Sequence, residues 1–158
     1  MSEMLKDLME KTHETAKINL KTYGYLENVM IAMTDRGPFV NTLEWTTEEE
    51  KIKTLDHCVK AMSQMSCQLY VMVGEAWATK IQLENLYGDS LEEILQLKSK
   101  EGFDCILTTG ATRHGVNLAI MTPYSSQNNE IKFGNSIRFD PTNNFHSWIH
   151  NSMFKGIF

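Results

Sequence analysis

A chain of 158 residues has the size of one domain, and its 15 basic residues against 20 acidic ones leave a net charge of −5. Nucleic-acid binding through a basic stripe is not expected, because the lysines are scattered in pairs such as Lys51/Lys53 and Lys98/Lys100. With 42% hydrophobic and 22% charged residues the composition is that of a folded chain, and no run approaches the roughly eighteen apolar residues of a membrane span.

From Ser2 to about Lys21, Leu5, Leu8, Met9, Thr12, Ala16 and Leu20 recur at three- and four-residue steps, which predicts an amphipathic helix. The mixed charges of Met1–Asp7 do not form an export signal, so a cytoplasmic chain is expected. Beyond Tyr23-Gly24, residues 26–34 are rich in strand formers. Asp35-Arg36-Gly37-Pro38 supplies turn chemistry, and residues 39–45 alternate, completing a β-hairpin.

Thr46 and Thr47 each precede a glutamate by three residues, the signature of a capped helix start, and Ile52, Leu55, Val59 and Met62 carry helix 2 to about Met65. Residues 68–79 are apolar on both faces, as expected of a central strand covered from both sides or packed beside a partner subunit. Residues 82–89 read as a loop and 90–97 as a short helix. Strands then follow over 103–112, 116–124 and 131–139, joined by turns at Arg113-His114-Gly115 and over 125–130. The last of them is expected to be an outer strand with one wet face. A final short helix would carry Phe145, Trp148, Ile149 and Met153.

The order α-β-β-α-β-(α)-β-β-β, with short links between strands, predicts an α+β domain spanning 1–158: one mostly antiparallel sheet of about six strands packed by two main helices. Residues 1–22 form the N-terminal helix, and 143–158 form an apolar segment that docks on the domain or on a partner.

The acidic Asp35 in the hairpin turn, the strand ending in Glu75-Ala76-Trp77 and the hairpin from Cys105 to Met121 resemble a family of small bacterial and archaeal α+β proteins of unknown function. The resemblance covers about residues 25–134 and implies a fold without an activity.

Candidate chemistry centres on Glu75, which alternation places beside Val73 and Trp77. A desolvated carboxylate there could act as a general acid or base, or bind a cation or ligand amine, in a pocket with Trp77, Trp45 and Arg113. The alternative is a structural pair with Arg113 or Lys80. His146 and His150 have the i,i+4 spacing of helical zinc ligands, but Ser147 breaks the metalloprotease signature, a third ligand would have to come from His114 or Glu75, and solvent-facing histidines are the simpler account. His13 and His57 fall on polar helix sides and are expected at the surface. Gly110 to Gly115 is a hairpin turn without the Lys-Ser/Thr of a phosphate loop.

The three cysteines, Cys58, Cys67 and Cys105, have no metal-binding spacing and suit a reducing compartment, with Cys58 and Cys105 as small core residues. No cofactor is implied. Phe145, Trp148, Ile149, Met153 and Phe154 are too many large apolar groups for a free tail, so they serve as an interface on the domain or in a homodimer. The leading expectation is a self-associating binding or assembly module. The alternative is a small-ligand protein or enzyme centred on Glu75.

Overall fold

Strand Leu69–Ala78 is the pivot of the architecture, because its side chains from Leu69 to Val73 are buried on both faces. In the computed structural model, which describes residues 2–78 and 103–139, the elements are α1 (Ser2–Tyr23), β1 (Asn28–Thr34), β2 (Gly37–Leu43), α2 (Glu48–Gln64), β3 (Leu69–Ala78), β4 (Phe103–Thr112), β5 (Asn117–Gln127), β6 (Glu130–Phe133) and β7 (Ile137–Phe139). The strands form one seven-stranded sheet in the order β2-β1-β3-β4-β5-β6, with β7 also on β5, and every pairing is antiparallel. The fold is α+β, with a helix on each face of the sheet. The expected helix over 90–97, the loop over 82–89 and the segment 143–158 lie outside the described residues.

Helix α1 ends at Gly24, whose φ of 80° suits glycine and whose N–H caps the Leu20 carbonyl at 2.8 Å. Its buried stripe is Leu5, Met9, His13, Ala16 and Leu20. These residues pack on Leu69, Val71, Val73, Ile106 and Ile120, so α1 covers the β3–β5 part of one sheet face. Helix α2 covers the other face at the β1–β3 side through Leu55, Cys58 and Met62, against Met30, Ala32, Tyr70 and Met72.

The start of α2 is built as a shifted capping box. Thr47 caps, its hydroxyl accepting from the Glu50 N–H at 3.1 Å, while the Glu50 carboxylate reaches back to Thr46, accepting from its N–H and its hydroxyl at 2.8 Å each. The backbone and hydroxyl bonds from Thr46 hold the Glu50 carboxyl below its ordinary range. The buried stripe of α2 differs by one position from the expected one. Ile52 is 56% exposed, and Lys51 takes the inward place, its stem covered and its ammonium 5.5 Å above the Trp45 ring. A lysine stem fills such a boundary while its head stays at the rim.

The expected single outer strand over 131–139 is two strands separated by a bulge. Phe133 faces Tyr124 and Ile137 faces Met121, so Gly134, Asn135 and Ser136 oppose only Thr122 and Pro123. The cause lies in β5: the Gly134 N–H donates to the Pro123 carbonyl at 2.8 Å, so the side of Pro123 that carries no N–H faces this outer strand. One extra residue reverses the side-chain alternation. Ile131 and Phe133 therefore pack under α1, whereas Ile137 and Phe139 join Phe103, Cys105, Leu107 and Met121 on the opposite face. The strand that was expected to have one wet face serves both cores.

Candidate functional site

Of the sequence-predicted pocket residues, Glu75 and Trp77 stand two apart on β3, while Arg113 and Trp45 lie away from them. Glu75 is exposed on the face of α1, in register with Ile106. Arg113 is an exposed turn residue beyond the far end of β4, seven positions along (106 to 113), or roughly 20 Å at strand rise. Trp45 packs against the core of the opposite face. Trp77 pairs with Asp104 at the end of β3. Glu75 has neither expected structural partner in Arg113 nor a described Lys80. Its charge acts on Tyr124 instead: burial first, and then the Glu75 and Asp104 charges, push that phenol well above its ordinary pKa. His146, His150, Phe145, Trp148, Ile149, Met153 and Phe154 lie outside the described residues. Among the described residues no group of three metal-ligating side chains occurs.

The cysteines behave as core residues. All three are free and buried, and burial raises their thiols, Cys67 to about 11 and Cys105 to about 12. His57 is exposed as expected, but His13 is not: it is 1% exposed and completes the α1 stripe between Met9 and Ala16. Its Nδ1 bonds the Thr108 hydroxyl at 2.7 Å and its Nε2 the Thr122 hydroxyl at 2.6 Å. Thr122 in turn bonds the Ser136 hydroxyl at 2.6 Å, so the polar chain runs from α1 through β5 to the bulge. Burial holds the imidazole neutral, with its pKa lowered to about 4. The chain is buried from His13 to Thr122 and reaches the half-buried Ser136, and it works as a polar rivet between α1 and the sheet. The helical spacing 9, 13, 16 is the signal in the sequence, and the polarity of histidine masks it.

An opening lies on the same face, where among the described residues α1 stops short of the sheet's β1–β2 end. A cleft of about 370 Å³ lies between α1 and β1, floored by Val29, Ile31 and Val73 and walled by Thr12, Thr15, Ala16 and Asn19 of the helix. Lys11 and Glu27 stand at its rim. Tyr23 and Tyr25 close one end, both more than 60% exposed, with ring centres 6.5 Å apart. An apolar floor with a polar rim and two exposed phenols is suited to holding an apolar group whose polar end stays in water.

The chain matches no known family profile, no curated protein and no solved structure. Among the described residues no helix is long and apolar enough to cross a membrane.

Proposed function

We propose that this chain is a self-associating binding module of the reducing cytoplasm, forming a homodimer and taking an apolar group in the cleft between α1 and β1. The observation that carries this reading is that, among the described residues, this sheet face is covered only in part. One helix spans only the β3–β5 part, and the apolar floor of β1 stays accessible beside exposed Tyr23, Tyr25 and Val40. Contiguous accessible apolar surface of this kind is characteristic of interaction sites. Three free buried thiols suit a reducing compartment.

Two measurements test it. Light scattering coupled to size exclusion reads a dimer mass, and a monomer throughout removes self-association. A solvatochromic apolar dye is bound by the wild type and lost on Thr15→Trp, which fills the cleft; equal dye binding by the two chains removes the cleft as the site.

The second reading, a ligand site at Glu75, is favoured by its exposed carboxyl group near the Tyr124 phenol, which burial keeps neutral. Loss of binding to a cationic amine on Glu75→Gln would support it.

A further inference from the structure

Among the described residues strand β2 is the outer strand at one end of the sheet, with no strand on its far edge, and Pro38, Val40 and Thr42 are exposed, Val40 to 63%. The register with β1, Thr34 against Gly37 through Asn28 against Leu43, fixes which backbone groups remain. Pro38 has no N–H to exchange with Met33, so the bonded pairs are those of Gly37, Phe39, Asn41 and Leu43. The N–H groups of Val40 and Thr42 and the carbonyls of Pro38, Val40 and Thr42 therefore point outward, unused by the ladder.

We propose that this edge is the homodimer seam, two copies pairing β2 antiparallel about a two-fold axis at Val40. The proposal rests on the self-association reading and names its surface. In this register Val40 of each copy exchanges both backbone bonds with Val40 of the other. The Thr42 N–H of each donates to the Pro38 carbonyl of the other, so the proline is used only as an acceptor. The same register sets Arg36 of one copy against Glu44 of the other, twice by symmetry, since 36 and 44 are equidistant from 40. Both are exposed, and neither makes an ion pair among the described residues.

Neighbouring registers lack this complementarity. An axis at Pro38 sets two prolines face to face without a donor, and an axis at Thr42 sets Val40 against Glu44. The side chains of Pro38, Val40 and Thr42 alternate with Phe39 and Leu43, which pack toward α2, and so share the face of α1. Val40 is the cross-strand neighbour of Ile31 in the cleft floor. The seam therefore joins the two clefts through one apolar strip on the same side of a continuous sheet.

Sedimentation equilibrium on the full chain tests the seam with charge reversals that leave the β1 ladder untouched. A wild-type dimer is expected. R36E and E44R are each expected to weaken it about tenfold in Kd through two like-charge contacts, and R36E/E44R to restore it. Val40→Pro, which removes the outward N–H, is expected to weaken it further. A dimer indifferent to both reversals and to Val40→Pro overturns the seam and leaves self-association through another surface. A dimer weakened by the single reversals and not restored by the double one overturns the Arg36–Glu44 register. A wild-type monomer at about 100 μM overturns both the seam and the self-association reading.

Discussion

His13 of α1 and Thr122 of β5, 109 positions apart in the chain, are joined by a 2.6 Å hydrogen bond in the core beneath α1. The bond locks the first element of the chain to a strand formed near the end of the described residues, and it does so with a group whose charge depends on pH. An unpaired imidazolium at this site would lose its hydration without gaining a counter-charge, which is why burial dominates its shift.

Stability follows with a defined sign. In the unfolded chain His13 takes a proton as pH falls below about 6.5, whereas the folded chain keeps it neutral down to about 4; Lys17 and Arg138 push the same way, and Glu14 and Glu10 oppose them. The contribution is complete above 6.5 and is lost as pH falls through that window, by about 3 kcal/mol over its full width. Denaturant melts of the wild type and His13→Leu should converge as pH is lowered from neutral toward 4. A gap between the two that stays constant would contradict a neutral buried imidazole.

Thr122 is the middle of the rivet, so its loss should strand both neighbours. Thr122→Val keeps the volume and leaves His13 Nε2 and the Ser136 hydroxyl without their partner, at a cost of about 1–3 kcal/mol. If the chain acts as a unit, Ser136→Ala should cost less in the Thr122→Val background than alone. Equal costs in a double-mutant cycle would show that the three groups are independent.

Much of this architecture is legible in the residues. The two-sided apolar run of β3, the Asp35-Arg36 turn, the threonine–glutamate start of α2 and the Phe103–Thr112 strand all follow from local pattern. Three features do not, each for a physical reason. Lys51 replaces Ile52 in the buried stripe because a long cationic side chain can bury its stem and still reach water beside Trp45. His13 is inward because two threonines on other strands satisfy it, and no local pattern announces partners 95 and 109 positions away. Glu75, Trp45 and Arg113 separate because alternation fixes a residue's face only within its own strand, and says nothing of which face another strand shares with it.

The bulge opposite Pro123 gives a prediction about deletions. Removing Asn135 leaves two residues opposite Thr122 and Pro123, so Phe133 still faces Tyr124 and Ile137 still faces Met121. That chain should fold with a Tm close to wild type. Removing Gly134 and Asn135 together turns Ile137 and Phe139 to the wrong face and should cost about 4 kcal/mol in lost burial. Two deletions of equal effect would mean the bulge does not set the faces.

Helix α1 lies close on the sheet at Gly110, where a side chain would meet Leu5 Cδ1 and Met9 Sδ at 2.8 Å and the Tyr70 carbonyl at 3.1 Å. Leu5 and Met9 are themselves buried to within 1% of full cover, so their ends have little room to yield. The first methyl is the easier to absorb, because methionine is flexible and the conflict lies at two side-chain tips. Gly110→Ala should cost about 1–2 kcal/mol, and Gly110→Val, which adds branches against the same tips, about 3 kcal/mol or more. Met9→Ala opens space on the helix side. Combined with Gly110→Ala it should recover part of the stability that the two changes would lose if they simply added. Additive losses in thermal melts of the four chains would place the strain on the Tyr70 backbone instead, and would mean that α1 is not seated by the missing side chain at 110.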